Sequence, residues 1–548
     1  MRKLNSELYK KNVNVELCTT RTDKLVPFIR SGVLWDNTLS NESIDNIRIT
    51  RFDTKNPNKF LSLIFEKAIQ YQLDKEESLS VENLERVLGE IYDAKGGVLL
   101  TGWNHLERFG SLEMRWTKRQ ASILIRDDNM REVAFSVMNR KMIDASLTLR
   151  SQDYEQSLNL PKGKEWTGFK VALPDVSGNL FLSFEQSRVW RPLKDHRALG
   201  IAISDISYKT DKHQRILNMD YDYKKFLIIK GLYVDHLVSN AISRPKIYSH
   251  LFDYLRGPDS SHMVKWLNRC IRNYDVVMAQ MFPFNTIKYS MIAKKHGKPL
   301  ALLPLIHVDD DFYHWRHYYE FLREADVVFA ISKYSKTSLF DKIGVNSIYV
   351  GAGIDRDIFL NDNINGNNFR EKYNMANKDI ILTVSRKSGS KRYDLIIDAV
   401  AKVRDEFKNA HLVMIGPDED KFPINSEDVS YLGTVSEADL ANAYDACDIF
   451  AMMSESESFG MVFCEAWSRR KPVIGNAYCG AVSTLIDNGS DGFLCSDADE
   501  IAERIRMLLS DKELAKRFGT NGFEKVIENY TWDKVANKIH NCYRMLIG

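Results

Sequence analysis

Along most of the chain the apolar positions alternate between two patterns: short continuous runs, and stretches where an apolar residue returns every three or four positions. The runs at 274–279, 299–303, 326–331, 347–350, 379–384, 411–415, 429–433, 448–453 and 472–474 read as strands buried on both faces of a parallel sheet. Between them the helical period is clearest over 393–407, where Ile396, Ala399, Val400, Val403 and Phe407 share one side. Ser436, with Asp439 three positions on, caps a helix over 437–447. Thr531 caps a last helix over 532–547, whose stripe of Trp532, Val535, Ala536, Ile539, Cys542, Tyr543 and Leu546 needs a partner surface. At the other end, residues 1–11 read as the end of a helix, 14–19 and 47–52 as strands, and 56–95 as helical, with Phe60, Ile64, Ala68, Leu84, Val87 and Ile91 in register.

From Gly96 to Tyr208 the helical period disappears. Short alternating runs take its place at 121–125, 133–137, 145–149, 169–173, 180–184 and 201–206, punctuated by the PKG and SGN tripeptides, and they predict an antiparallel β-sandwich. Four of the nine tryptophans lie here, Trp103, Trp116, Trp166 and Trp190, and as core residues they fit a spacer or docking domain better than a sugar-binding face. Arg191, Asp195 and Arg197 read as a structural ion-pair group near the last strand. Because the α/β pattern resumes near residue 245, the sandwich is an insertion, tolerated where its two ends lie close together.

Composition narrows the class. A 548-residue chain can bury several cores, and 44% hydrophobic with 27% charged residues is the balance of a soluble globular protein. A net charge of +2 gives no general attraction to nucleic acid. The seven cysteines are odd in number and lack CxxC spacing, which favours buried thiols in a reducing compartment over disulfides or zinc. No apolar run reaches the ~18 residues of a membrane span, and the first residues lack a secretory apolar core. The expectation is a cytoplasmic protein.

The chemistry gathers in residues 454–473, SESESFGMVFCEAWSRRKPV, where a strand end, a polar loop and a helix start are followed by the next strand. A helix N-terminus at the carboxyl edge of a sheet presents unpaired N–H groups that favour a phosphate. Glu457 and Glu465 stand eight residues apart. On a helix that is at most about 12 Å, wider than the roughly 5 to 9.5 Å of a glycosidase carboxylate pair, and suited to gripping different parts of one long ligand. With Phe459 and Gly460 between the two glutamates, and Arg386 and Lys391 in the loop after the 379–384 strand, the chain resembles the retaining GT-B glycosyltransferases of family 4. The segments GSLEMRWT and VWRPLKDHRALGIAI are similar, less specifically, to β-sandwich modules of bacterial and archaeal glycosyltransferases.

The resemblance implies an α/β GT-B fold, two Rossmann-like doubly wound domains facing a cleft, with the all-β sandwich inserted in the first. The domains would be 1–95 and 210–355 for the acceptor half, 96–209 for the sandwich, 356–530 for the donor half, and 531–548 for a helix packing back on the N-terminal domain. It places Arg386, Lys391 and the backbone of Gly460 and Met461 on the donor diphosphate. Glu465 and Phe459 would lie at the ribose and sugar, Glu457 at the donor sugar hydroxyls, and His307 would orient the sugar from the opposite half. Asp309, Asp310 and Asp311 read as a solvated loop or acceptor contact, and neither a metal nor a cofactor is expected, the nucleotide-sugar being a substrate. Gly351 and Gly353 resemble the interdomain hinge. Two positions depart from the family: Arg470 stands where a glycine is usual, costing up to about 1 kcal/mol if φ there is positive, and Ser483-Thr484 replace Pro-Glu. A third departure is at the start, where the family's first strand and glycine-rich loop have no counterpart. The expectation is that Met1 is internal to a longer protein, or that a neighbouring chain supplies the strand.

The implied activity is transfer of a sugar from a UDP- or GDP-sugar to a hydroxyl acceptor, carbohydrate or lipid-linked, in glycan or glycolipid synthesis. A phosphorylase or disaccharide synthase of the same fold, or a silent glycan-binding protein, are the alternatives. No nucleic-acid partner is expected, and peripheral association with the inner face of a membrane stays open.

Overall fold

The computed structural model describes residues 2–20, 41–44, 47–52, 84–104, 106–109, 112–190, 199–243, 260–280, 286–310, 313–424 and 426–548. The expected helical stretch before residue 84, the Arg191, Asp195 and Arg197 group, and Asp311 lie outside them. The chain divides into two compact units, Lys59–Tyr233 and a second formed by Met1–Asn58 with Val234–Gly548.

The second unit contains three sheets among the described residues. Strands β1 (Glu16–Thr20), β2 (Asn41–Ile44) and β3 (Ile47–Phe52) pair in the order β1-β3-β2, with β1 and β3 parallel.

Besides helical residues at 84–91 and Tyr223–Ile229, the unit Lys59–Tyr233 is built of described strands. These are β4 (Gly96–Leu99), β5 (Glu107–Phe109), β6 (Leu112–Trp116), β7 (Gln120–Asn139), β8 (Ala145–Arg150), β9 (Glu155–Asn159), β10 (Gly163–Gln186), β11 (Ala202–Thr210) and β12 (Gln214–Ile216). They form one antiparallel sheet in the order β5-β6-β11-β7-β10-β8-β9, with β12 on β11 and β4 on β7. The expected sandwich of two sheets over 96–209 is thus a single hydrogen-bonded sheet. Two of the expected strands fuse in β7 and two in β10, because the polar interruptions are irregularities within a strand and not turns. Register shifts fall between Ala172 and Gly178, where Ser177 Oγ accepts the N–H of Asn129, itself at φ 51°. Bulges of this kind bend a strand without ending its pairing. The bent sheet folds around a core that takes Ile123, Ile125, Leu180 and Leu182 from one half of the long strands and Val133, Phe135, Val137 and Val171 from the other. Trp103 joins it, edge-on to Phe184, with its indole N–H donated to Ser122 O, whereas Trp190 is 42% exposed.

In the second unit β13 (Val277–Gln280), β14 (Leu300–Leu303), β15 (Val327–Ala330) and β16 (Ser347–Tyr349) form a parallel sheet in chain order. Strands β17 (Asp379–Val384), β18 (Ala410–Ile415), β19 (Val429–Tyr431), β20 (Ile449–Met452), β21 (Val473–Asn476) and β22 (Gly492–Cys495) form another, ordered β19-β18-β17-β20-β21-β22. Their unbroken apolar runs follow from burial on both faces: all of β18, β20 and β21 is buried. On one face lies the helix Tyr393–Val403 with Leu395, Ile396, Ala399, Val400 and Val403 inward, as the period requires.

The last helix, Trp532–Ile547, buries Val535, Ala536, Ile539, Cys542 and Tyr543. Tyr543 packs at 6.2 Å from Phe329 of β15, and its hydroxyl meets Met278 Sδ of β13 at 3.0 Å. Where the chain passes between the two parallel sheets, Gly351 has φ +82°, while Gly353 is required by space, a Cβ there lying 2.6 Å from the backbone N of Trp532. No helix among the described residues is long and apolar enough to cross a membrane, and six described cysteines are free thiols.

Arg470 follows the helix Met461–Ser468 and does adopt positive φ, 56°. The helix needs it: Lys471 N–H reaches back to Ala466 O at 3.2 Å and Arg470 N–H to Trp467 O at 2.8 Å, which only a left-handed residue allows. The arginine gains something a glycine could not, because its guanidinium lies 3.8 Å over the ring of Phe523. Strain of about 1 kcal/mol and a cation–π contact of about 0.5 to 1 kcal/mol nearly cancel. Arg470→Gly should therefore leave stability within about 0.5 kcal/mol of the parent, whereas Arg470→Ala, which keeps the strain and loses the stack, should lower it by about 0.5 to 1 kcal/mol. Urea unfolding of both variants checks the difference.

Candidate functional site

In the six-stranded sheet the strand order reverses between β17 and β20. The loops that leave their carboxyl ends turn away to opposite sides and open a crevice, the usual ligand position in such sheets. The loop after β17 carries Arg386 and Lys391, and the loop after β20 carries Ser454 to Phe459. Their backbones are tied by Glu455 N–H to Ser390 O at 3.0 Å. The second loop is held from beneath by Asn476, whose side-chain amide donates to Met453 O and Ser454 O at 3.2 Å each.

Lys391 Nζ donates to Ser454 Oγ at 3.1 Å and to Glu457 Oε1 at 2.5 Å. Both charged side chains are largely buried, 11% and 16% exposed. With so little water around it, the ion pair is held more firmly than one on the surface, and losing either partner leaves the other uncompensated. Arg386 is different. Its side chain is 56% exposed and its Nη1 is shared between both oxygens of Glu419 at 3.0 Å.

Glu419 belongs to the loop after β18, which is bound to the Arg386 loop by Lys387. That lysine is 1% exposed, and its ammonium meets Asp418, Asp420 and Phe422 O between the rings of Tyr393 and Tyr431. Gly416 makes the approach possible, since a Cβ there would fall 1.9 Å from Ser385 O. Neither Lys387 nor Glu419 stands out in the sequence, where both look like ordinary surface charges. The only signal is their place next to Arg386 and in the acidic run after Pro417.

His307, in the loop after β14, comes to the same place from the other parallel sheet. Its Nδ1 lies 3.3 Å from Ser456 Oγ, and its ring stacks parallel to Tyr313 at 6.1 Å. Burial pushes its pKa down, against the pull of the Glu457 and Asp310 carboxylates, so the imidazole is neutral at pH 7. Lys391, Glu457, Ser456 and His307 thus form one group. Gly460 starts the next helix at φ 101° with no side chain capping it, so the amides of Gly460 and Met461 stand at an open N-terminus.

One of the expected ligand contacts is placed otherwise. Phe459 is 3% exposed and packs edge-on against Tyr530 at 5.3 Å, which makes it a core residue and removes its ring from the sugar or ribose. It sits between two site residues in sequence, but its ring packs inward against Tyr530. Glu465 accepts the Tyr444 hydroxyl at 2.7 Å in a half-buried position. Of the acidic run, Asp309 accepts hydrogen bonds from the Tyr334 hydroxyl at 2.6 Å and from Gly480 N–H at 3.4 Å, which replaces the expected solvated loop by a packed one. Ser483 and Thr484, the departure from Pro-Glu, turn their hydroxyls back to Gly480 O at 3.1 and 3.0 Å.

Burial pushes the Glu465 carboxyl up to about 7, with the Tyr444 hydrogen bond acting the other way. A carboxyl raised on folding holds a proton that the unfolded chain has already released, so stability falls as pH climbs from about 4.5 to about 7. Glu465→Gln should lose this slope and gain stability relative to the parent at pH 8 over pH 5. Urea unfolding of the two proteins at both pH values measures it.

Residues 366–525 match the family described as Glycosyl transferases group 1. The chain is 26% identical over 241 residues to a GDP-mannose-dependent alpha-(1-6)-phosphatidylinositol monomannoside mannosyltransferase of Mycobacterium tuberculosis, covering 40% of this chain and 62% of that protein. It is 28% identical over 185 residues to the N-acetyl-alpha-D-glucosaminyl L-malate synthase of Bacillus anthracis, covering 32% and 48%. Among solved structures it is similar to Anabaena HepE in complex with UDP-glucose, at 18% identity and a TM-score of 0.45, over 59% of this chain and 96% of that one. The chain spans 62% of the length of the Mycobacterium tuberculosis mannosyltransferase and 48% of the Bacillus anthracis synthase. The crevice between β17 and β20 therefore lies within the segment, residues 366–525, that matches the Glycosyl transferases group 1 family.

Proposed function

We propose that the protein is a retaining glycosyltransferase that moves a sugar from a UDP- or GDP-sugar to a hydroxyl acceptor in glycan or glycolipid synthesis. The observation that carries this reading is the Lys391–Glu457 pair, set at the reversal of the sheet beside the open amides of Gly460 and Met461. A diphosphate that leaves as a glycosidic bond breaks gains negative charge. Lys391, with Arg386 swinging from Glu419, supplies fixed cations where that charge appears, and the helix N-terminus adds its amides. Released from Lys391, Glu457 accepts hydrogen bonds from the donor sugar hydroxyls, and neutral His307 orients the sugar from the opposite side. Glu465, deprotonated on binding, takes the ribose. GDP-mannose dependence in the Mycobacterium tuberculosis relative agrees with a nucleotide-sugar donor. The site lies on the cytoplasmic side in this reading, with an acceptor that is a carbohydrate or a lipid-linked one.

Calorimetric binding of UDP, GDP and their sugars, followed by transfer assays with the donor that binds, tests the reading. Absence of binding by every one of them would sink it. Lys391→Ala and Arg386→Ala should each lower turnover about a hundredfold or more, the usual cost of one oriented charge in the transition state. Glu457→Gln should lower turnover more than donor affinity, because its contact lies at the reacting sugar. Metal independence is part of the proposal: two protein cations serve the diphosphate and Asp309 is committed to Tyr334 and Gly480. Activity should persist in excess EDTA, and loss restored by manganese would contradict it.

A further inference from the structure

Asp309 does more than fill a loop. Its Oδ1 accepts the Tyr334 hydroxyl at 2.6 Å and its Oδ2 accepts Gly480 N–H at 3.4 Å, so it joins the loop after β14, the segment after β15 and the segment after β21. The approach at Gly480 is close: a Cβ there would lie 2.2 Å from the Tyr334 ring, so glycine is required by space and not by φ. The preceding Cys479 is fully buried, and its thiol accepts the backbone N–H of Glu457. On the other side, two residues before Asp309, His307 meets Ser456, the neighbour of Glu457. Two short segments, 307–309 and 479–480, thus bracket Glu457, and the Asp309–Gly480 contact joins one to the other, with Tyr334 holding Asp309 in place. Burial and the Asp309 charge push the Tyr334 phenol far above its usual range, so it remains a donor at any working pH.

We propose that Tyr334 and Asp309 form a latch that sets His307 against Glu457, and that they act on the transfer step without contributing to nucleotide binding. The inference rests on the reading of the crevice as a nucleotide-sugar site. Its logic is positional. Arg386, Lys391, Gly460 and Met461 all belong to the six-stranded half and can hold a diphosphate whether or not the latch is made. The meeting of His307 with Ser456 needs both parallel sheets, and Asp309, held by Tyr334, makes a second, half-buried contact between the same two through Gly480 N–H. Tyr334 and Asp309 are positioning residues. A hydrogen bond to an ionised group biases an equilibrium by about 10- to 100-fold, which bounds what the latch can do.

Tyr334→Phe removes only the hydroxyl and leaves the ring against Gly480. Binding of UDP and GDP should stay within about twofold of the parent, while kcat at saturating donor falls about tenfold or more, within the range one such bond allows. Gly480→Ala, whose methyl group meets the ring, should show the same split. Unchanged kcat in Tyr334→Phe overturns the latch. So does a fall in kcat matched by an equal loss of nucleotide affinity, which would place Tyr334 in the binding machinery itself. If the parent protein binds neither nucleotide, the reading of the crevice fails along with the latch. If the parent binds and transfers and Tyr334→Phe equals it, the latch alone fails.

Discussion

The ammonium of Lys391, lodged between Ser454 and Glu457 in a place with little water, is the contact on which the rest of the site depends. A lysine so enclosed must have a counter-charge, and Glu457 is held in reach because the loop after β20 is pinned by Asn476 below and by Ser390 beside it. Only at the reversal do two loops leave neighbouring strands in opposite directions and leave room for a cation and an anion to face each other.

The two cations at the crevice differ in how they are held. Lys391 is buried with its partner, whereas Arg386 and Glu419 are both well exposed, and an exposed pair is worth at most about 1 kcal/mol. Another anion can therefore take Arg386 at small cost. What it cannot displace is the scaffold beneath, where buried Lys387 binds the loops after β17 and β18 together through Asp418 and Asp420. Rigidity and adaptability thus sit on adjacent residues of one loop.

The long-stranded sheet follows a separate rule. Long strands β7 and β10 carry their pairing through register shifts, and the bent sheet covers its own apolar face without a second, separately bonded sheet. Edges that two open sheets would expose are reduced in this way.

Read along the chain, the sequence determines the parallel strands, the amphipathic helices and the residues of the crevice that stand at fixed offsets from strand ends. Arg386, Lys391, Glu457 and Gly460 are of this kind, since a loop at the carboxyl end of a buried strand has few directions open to it. Arg470 belongs with them: a helix that ends just before the next strand needs a left-handed residue there, whatever its side chain. Tertiary structure alone decides what depends on contact between distant segments. A bulge and a turn leave the same break in an apolar pattern, so the continuity of β7 and β10 is settled by their partners. Phe459 shares its loop with Glu457 but points into the core, because the choice is made by Tyr530, 71 residues later in the chain. Asp309 and Tyr334 look like any loop acid and tyrosine until folding brings Gly480 against them, leaving no room for a side chain there and its N–H on the Asp309 carboxylate.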